Sequence, residues 1–264
     1  MEATFKKCIP IRLLMLIACC SVLFTANKGW AQDSTVSSKK WSFLIEPFLL
    51  FPNMQGSAAI GTFPDITVDE NPGDIFSHLR WGAMLYLEAT NNKWTISSDV
   101  LFMKLGKHLT ATDRINSGEV IFKQLGGEVA VLRKFAPWFD AGVGIQYNSI
   151  NAEITLNLNP PLNNQSGTKE HTETWVDPLL IARATFPLSS KWFTQFRASI
   201  GGSGEGSNLV WQLQGYATYL MGKHTSTTFG YRFISIDYDK GSGADRFMYD
   251  VNTFGPVLKF GYRF

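Results

Sequence analysis

The sequence has no cysteine beyond residue 20, because its three cysteines are Cys8, Cys19 and Cys20. All three lie in an N-terminal segment that has a basic start and a nearly unbroken apolar run at 13–24. A polar stretch follows and ends in Gly29-Trp30-Ala31, with small residues at the positions that a signal peptidase reads. This order predicts a signal peptide over 1–31 that is cleaved after Ala31. The remaining chain would have no disulfide and no thiolate ligand for a metal.

A second interpretation of the leader stays open. Residues 16–19 resemble a lipoprotein box in which Cys19 would carry the lipid, although the apolar run continues past Cys19. The run itself is too short for a membrane-spanning helix, which needs about 20 apolar residues.

The chain also lacks an excess of charge of either sign. The leader holds four of the 24 Lys and Arg residues and one of the 22 Asp and Glu residues, which leaves 20 basic and 21 acidic residues. A net charge of −1 gives no reason to expect nucleic acid as a partner. The 233 residues from 32 to 264 suit one large barrel or one to two soluble domains.

No apolar run of transmembrane-helix length follows the leader, and the dominant period is two residues. Segments of ten or more residues alternate apolar with polar or small side chains, which is typical of transmembrane barrels. The sequence therefore predicts an all-β, antiparallel, up-and-down transmembrane barrel over 32–264, with about ten strands in a range of eight to twelve. A soluble periplasmic barrel is the alternative fold.

The alternation places ten strands, and their connections alternate between short and long. Short turns would face the periplasm and long loops the outside. The first long link contains Asn71, Pro72 and Asp74 in an order that predicts a short helix. The predicted strands are 41–51, 80–90, 93–105, 119–132, 137–149, 173–186, 191–201, 207–221, 224–236 and 248–264.

Tryptophans fall near both ends of these strands, as in the aromatic girdles of transmembrane barrels. Two of them do not fit strict alternation, because Trp138 shares a face with Asp140 and Trp175 shares a face with Asp177. We expect either a bulge at each position or packing inside the barrel.

The last strand ends on Phe264, with Tyr262 and Phe260 two and four residues earlier. This ending resembles the C-terminal assembly signal of outer-membrane proteins of Gram-negative bacteria. The resemblance implies insertion into the outer membrane by the barrel-assembly machinery. It also implies delivery by periplasmic chaperones and contact with outer-membrane lipid and lipopolysaccharide.

Residues 41 to about 105 are similar to the N-terminal half of a broad family of proteobacterial barrels. The shared features are the corner at 46–48, the acidic segment and short helix at 69–79, and Glu88 and Asp99 on adjacent strands. The resemblance implies the barrel fold and says little about function.

No catalytic or cofactor motif accompanies this pattern. His78, His108, His171 and His224 lie in predicted loops, turns or the short helix, where histidine is usually a solvated residue. His171 lies near Glu170 and Glu173, but this spacing matches no recognised metal-ligand motif. His108 lies near Asp113 and Ser117, but proximity within a loop does not make a catalytic triad. We therefore predict no catalytic, cofactor or metal residues.

Nine charged residues fall on the polar faces of the strands. A charge at the middle of a bilayer costs about 2–4 kcal/mol, so these side chains should line the lumen. They could form a network of salt bridges that plugs the barrel, or a lining that selects solutes. The nine are Glu88, Asp99, Glu128, Asp140, Asp177, Arg183, Arg197, Arg232 and Lys259.

These features predict a monomeric, non-catalytic barrel with a structural role or a narrow passage for small solutes. One alternative is a surface adhesin or ligand-binding barrel that uses the long loops 52–79 and 150–172. Another is an outer-membrane enzyme that modifies lipid or peptide.

Overall fold

The computed structural model describes residues 40–264, apart from 63, 92, 110, 112–114 and 161–165. The chain divides into a unit at Met1–Lys39 and a unit at Lys40–Phe264, and the description covers the second unit. The predicted signal peptide and the lipidation alternative at Cys19 lie outside the described residues. In the described part of the chain, no helix has the length and apolar character needed to cross a membrane.

The described residues form strands almost throughout, with one short α-helix and one turn of 3-10 helix. The 3-10 turn is Gly243–Asp245, and the α-helix, α1, is Pro72–His78. The strands are β1 Ser42–Leu50, β2 Asn53–Ile60, β3 Ile66–Glu70, β4 Leu79–Thr90, β5 Trp94–Leu109, β6 Ile115–Ala136, β7 Phe139–Leu158, β8 Gly167–Pro187, β9 Trp192–Gly201, β10 Leu209–Leu220, β11 Thr225–Lys240 and β12 Phe247–Arg263.

Ten of these strands close into an antiparallel barrel. β1 pairs with β4, each strand from β4 to β12 pairs with the next, and β12 returns to β1. The closing register sets Ile45 opposite Tyr262, and the Phe43 N–H donates to the Phe264 carbonyl at 2.9 Å. All ten predicted strands are present, and the predicted fold class is confirmed.

The barrel is apolar outside and polar at many positions inside. Large side chains such as Ile145, Phe196 and Phe229 are more than half exposed on the outward face. Inward neighbours such as Gln212 and Thr228 are buried. This is the arrangement of a transmembrane barrel, whereas a soluble barrel would bury its apolar face.

The two ends of the barrel differ. At one end, here called the turn end, the strands that end at Thr90, Ala136, Pro187 and Leu220 are joined to the next strand by short links. At the opposite end, the loop end, β6, β7 and β8 continue to 22, 20 and 21 residues. A membrane-spanning strand needs only about 9–11 residues. The links 106–118 and 150–172, predicted as long loops, are therefore largely strand.

The first link, 52–79, contains more structure than the predicted helix. The helix is present, and Asn71 caps it by accepting hydrogen bonds from the N–H groups of Gly73 at 2.8 Å and Asp74 at 3.2 Å. Ahead of it, β2 and β3 form a hairpin that the sequence analysis missed. β2 pairs with β12 beyond the point where β1 leaves it, so the hairpin extends the wall at the loop end.

One stretch of the wall lacks continuous pairing. The β1–β4 ladder stops at Pro47 opposite Leu85, where the proline nitrogen has no hydrogen to donate. Among the described residues, no backbone ladder joins β4 to β1, β2 or β3 between this point and Leu79. We call this stretch the seam. The helix α1 joins β3 to β4 across it.

The two tryptophans that broke the alternation have different explanations. Trp138 lies in the two-residue turn between β6 and β7, where the strand register shifts, and its ring stacks on Phe186 outside the barrel. Trp175 is inside the barrel. Its ring stacks on Tyr238 with centroids 4.2 Å apart, and its Nε1 donates to Ser207 Oγ at 2.9 Å.

Candidate functional site: a layered lumen

The lumen changes character from the turn end to the loop end. A polar cavity of about 440 Å³ opens at the turn end and reaches the turn at Gly222 and Lys223. An apolar cavity of about 380 Å³ lies at the loop end, between the β2–β3 hairpin with α1 and strands β5 to β7. A layer of buried charges, the ionic layer, separates the two cavities.

Strand alternation turns all nine predicted lumen charges inward. Eight of the residues are buried, and the Glu88 side chain is 9 % exposed. The ionic layer contains eight of the nine: Glu88, Asp99, Glu128, Asp140, Arg183, Arg197, Arg232 and Lys259.

Arg183 on β8 joins acids from two other strands. Its Nη1 lies 2.5 Å from Glu88 Oε2, and its Nη2 lies 2.5 Å from Asp140 Oδ2. The same guanidinium donates to Thr95 Oγ1 at 3.1 Å, and the Tyr86 hydroxyl donates to Glu88 at 2.7 Å. Because these partners lie on β4, β5 and β7, Arg183 ties opposite walls of the barrel together.

Two more arginines span the lumen in the same way. Arg197 on β9 forms an ion pair with Glu128 on β6. Arg232 on β11 donates to both carboxylate oxygens of Asp99 on β5, at 3.0 and 3.1 Å, and to Gln212 Oε1 at 3.1 Å. Buried ion pairs are favourable only when their hydrogen-bonding capacity is largely met. Thr95 and Gln212 supply further partners for Arg183 and Arg232, whereas the Nε atoms of Arg197 and Arg232 are buried without a hydrogen-bond partner.

Lys259 on β12 is held mainly by aromatic rings. Its Nζ lies 4.3 Å from the ring centre of Tyr216, 4.7 Å from Tyr86 and 5.3 Å from Phe48. Cation–π contacts of this kind are strongest where water is excluded. Glu46, also buried, lines the turn-end cavity together with Lys259. Glu46 was not predicted as a lumen residue and was noted only as part of the corner at 46–48. It lies two residues from Phe48, so both side chains are on the inward face of β1.

Asp177 has a different role from the other predicted charges. It is fully buried, and its two oxygens accept from the N–H and the Oγ of Ser207, each at 2.7 Å. Gly202 and Gly204 nearby have positive φ angles of 115° and 71°. Asp177 therefore anchors the tight link between β9 and β10 and forms no ion pair with an arginine or lysine in the described structure.

The ionic layer borders the turn-end cavity through Glu88, Arg183, Arg197 and Lys259, and little space remains beyond these side chains. A cavity of only about 60 Å³ lies among Asp99, Glu128, Gln212 and Arg232. It is bordered by Gly126, whose position leaves nothing within 4 Å of an added Cβ. One ordered water needs about 10–15 Å³ of such volume, so this space suits a few waters and no larger solute.

At the loop end the inward positions become apolar. Met54, Ile75, Phe122, Ile150, Phe247 and Tyr249 line the cavity there. This apolar half of the lumen was not predicted from the sequence, which indicated polar inward faces. Its signal was present in the same alternation, because β12 carries Phe247, Tyr249 and Val251 in register with Lys259.

The four histidines lie apart from one another. The His171 ring stacks on Phe247, and its Nε2 is 3.8 Å from Glu173; His108 Nε2 is 3.7 Å from Glu119. Asp113, which the triad alternative needed, lies outside the described residues. Within the described part of the chain, no three His, Cys, Asp or Glu residues are grouped closely enough to hold a metal ion.

No family model matches the chain, and no curated protein matches it. Among solved structures, the outer membrane protease OmpT from Escherichia coli is 6 % identical, with 89 % of this chain and 100 % of that chain covered and a TM-score of 0.44. The attachment invasion locus protein Ail of Yersinia pestis is 9 % identical, with coverages of 85 % and 98 % and a TM-score of 0.39. A Pseudomonas aeruginosa FadL homologue is 9 % identical, with coverages of 86 % and 90 % and a TM-score of 0.35. At these sequence identities and TM-scores, the similarities assign no functional role to this chain.

Proposed function

We propose that this protein is a monomeric outer-membrane β-barrel that has a closed lumen and a structural role. The ionic layer carries the proposal. Three arginines form ion pairs with acids on non-adjacent strands, and the space left beside Arg232, Asp99 and Glu128 is about 60 Å³.

The outward face supports the membrane location. Apolar side chains cover it, and exposed aromatic rings occur toward both ends, with Trp41, Trp138 and Trp192 at the turn end and Trp81 at the loop end. Rings at both interfaces and an apolar belt between them are what an outer-membrane barrel presents to lipid. The predicted leader and the terminal Phe264 agree with export and with insertion by the barrel-assembly machinery.

The ion pairs argue against the passage of solutes that the sequence left open. Opening a path would separate carboxylates from arginines in a space that excludes most water. Breaking such a buried pair costs about 3–5 kcal/mol. The turn-end cavity would then be a vestibule that ends at the ionic layer.

The proposal includes no catalysis. His78 contacts the Asp74 carbonyl, His171 stacks on Phe247, and His224 contacts the Arg263 carbonyl. Outer-membrane lipid and lipopolysaccharide are the partners that the apolar belt would meet, and periplasmic chaperones would deliver the chain.

The location can be tested by fractionating cells that express the full chain. We expect the protein in the outer-membrane fraction, resistant to urea extraction and faster on gels when unheated. Recovery in the osmotic-shock fraction would overturn the membrane assignment. Proteoliposomes test closure separately, since a closed barrel should retain trapped glucose as well as protein-free liposomes do.

A surface-binding role is a second candidate because β6, β7 and β8 project beyond the length that a bilayer needs. Glu119, Lys123 and Glu153 place charges on this projection. If cell-surface binding requires it, removing residues 156–167 should abolish that binding and leave the barrel folded.

A further inference from the structure

The apolar cavity at the loop end is too large to be ordinary core packing. It measures about 380 Å³, yet its walls include the buried residues Met54, Ile75 and Ile150. Protein interiors leave few voids larger than a water molecule. A cavity of this size, lined mainly by apolar and aromatic groups, falls within the range of small-molecule sites, about 300–1,000 Å³.

Water is a poor occupant for this space. An ordered buried water needs about 2–4 polar partners, and apolar cavities stay dry or take apolar guests. The inward walls here are aliphatic and aromatic, with Phe122 on one side and Val68 on the other. The polar residues of the lining lie on β3, α1 and β5, and the Tyr249 hydroxyl adds one polar group from β12. These polar residues are Thr67, Glu70, Asp74, His78 and Lys107.

The cavity has an entrance and a floor. Ile66 and Ile154, which belong to its lining, are 60 % and 42 % exposed, so the cavity reaches the surface. Its floor is an aromatic cluster in which Trp175 lies 6.3 Å from Phe247 and stacks on Tyr238. The ionic layer lies below this floor, so a guest would be retained at the loop end.

Part of the cavity wall comes from the link at 52–79, which departs from a plain up-and-down barrel. The β2–β3 hairpin and α1 supply one side, and the capped helix turns Ile75 inward. These elements stand beside the seam, where β4 lacks a partner on the β1 side. The departure from regular pairing therefore coincides with the cavity.

The lining also indicates the charge and size of a guest. Acidic Glu70 and Asp74 and basic Lys107 give the rim both signs, which favours no ionic ligand. An apolar cavity of roughly 150 Å³ takes benzene. We infer that the loop-end cavity binds a small uncharged hydrocarbon, of about two fused rings, at the outer mouth of the barrel.

Naphthalene binding to the refolded barrel in nanodiscs tests this inference, with empty nanodiscs as the blank in equilibrium dialysis. We expect saturable binding with one site per chain. Ala58→Trp on β2 and Ala152→Trp on β7 place an indole in the cavity and should each weaken binding at least tenfold. Ala198→Trp, on the outward face of β9, is the matched control and should stay within twofold of the wild type.

Each variant is first checked for the folded barrel by the heat-dependent gel shift, and Ala152→Leu replaces Ala152→Trp if that chain does not fold. Equal binding by the filled variants and the wild type would overturn the inference. So would native mass spectra showing a retained lipid that naphthalene does not displace. The binding result does not depend on the fractionation and proteoliposome experiments. The cavity inference and the proposed function can therefore fail separately.

Discussion

At the scale of single residues, the ionic layer can be tested by substituting Arg197 and Glu128. These two residues form an ion pair, and both side chains are nearly inaccessible to solvent. Arg197→Met leaves Glu128 buried without its partner and should lower the free energy of unfolding by about 3–5 kcal/mol. The double variant Arg197→Met/Glu128→Gln removes both charges and should recover most of that loss. The free energy of unfolding is measured by urea titration of each protein in lipid vesicles.

Arg246→Met is the control, because Arg246 pairs with Asp65 and Asp239 in a solvent-exposed link. Its stability should change little. A double variant no more stable than Arg197→Met would show that the charges are not coupled in this way.

Two glycines on the inward faces should respond in opposite ways to alanine. A Cβ at Gly142 would lie 2.0 Å from the Val131 carbonyl oxygen, so Gly142→Ala must displace backbone on the neighbouring strand. A Cβ at Gly126 meets nothing within 4 Å. We expect Gly142→Ala to reduce the folded fraction and the urea midpoint, and Gly126→Ala to leave both unchanged. Equal effects would contradict the packing described for these strands.

At the scale of secondary-structure elements, the β2–β3 hairpin can be deleted without loss of the strand pairings that close the barrel. β1 pairs with β12 and β4 through residues 42–50, so a chain with a short Gly-Ser linker from Asn53 to Asn71 should still fold. It should lose naphthalene binding, because one wall of the cavity is gone. The control lacks 156–167, because the described residues of this segment do not line the cavity. Retained binding without the hairpin would contradict the assigned wall.

The terminal strand carries a separate prediction about assembly. Phe264 bonds through its backbone to Phe43, and the two rings stack at 6.1 Å. Phe264→Ala should lower the amount of assembled barrel in cells and leave refolding in vitro unchanged, if the residue acts as a signal. Phe254→Ala is the control, since Phe254 faces outward on the same strand. Equal losses in cells would indicate a packing role alone.

The ten barrel strands could be predicted because each places apolar residues outward with a period of two. The hairpin could not, since Gly56, Ser57 and Ala58 give β2 no such contrast. The ends of β6 to β8 were also missed, because beyond the bilayer neither face needs to be apolar. The inward charges followed from alternation, but their pairing depends on strands up to 133 residues apart, as for Arg232 and Asp99. Alternation alone does not specify which charges meet.

At the scale of the whole molecule, the closed lumen and the insertion into the membrane are consistent with each other. An apolar exterior suits lipid, and an ionic layer ties the strands together across a lumen too narrow for an unfilled channel. The loop end then carries the cavity, the hairpin and the projecting strands, so binding belongs there and passage does not.

The most direct test is single-channel conductance of the refolded barrel in a planar bilayer, beside an Arg183→Ala/Arg232→Ala variant. Arg232 borders the space of about 60 Å³ and Arg183 borders the turn-end cavity, so truncating both should widen the lumen on both sides of the ionic layer. The account predicts a silent wild type and discrete conductance steps from the variant. Discrete steps from the wild type, with an ion selectivity that shifts in the variant, would contradict a closed lumen and restore a charge-lined pore.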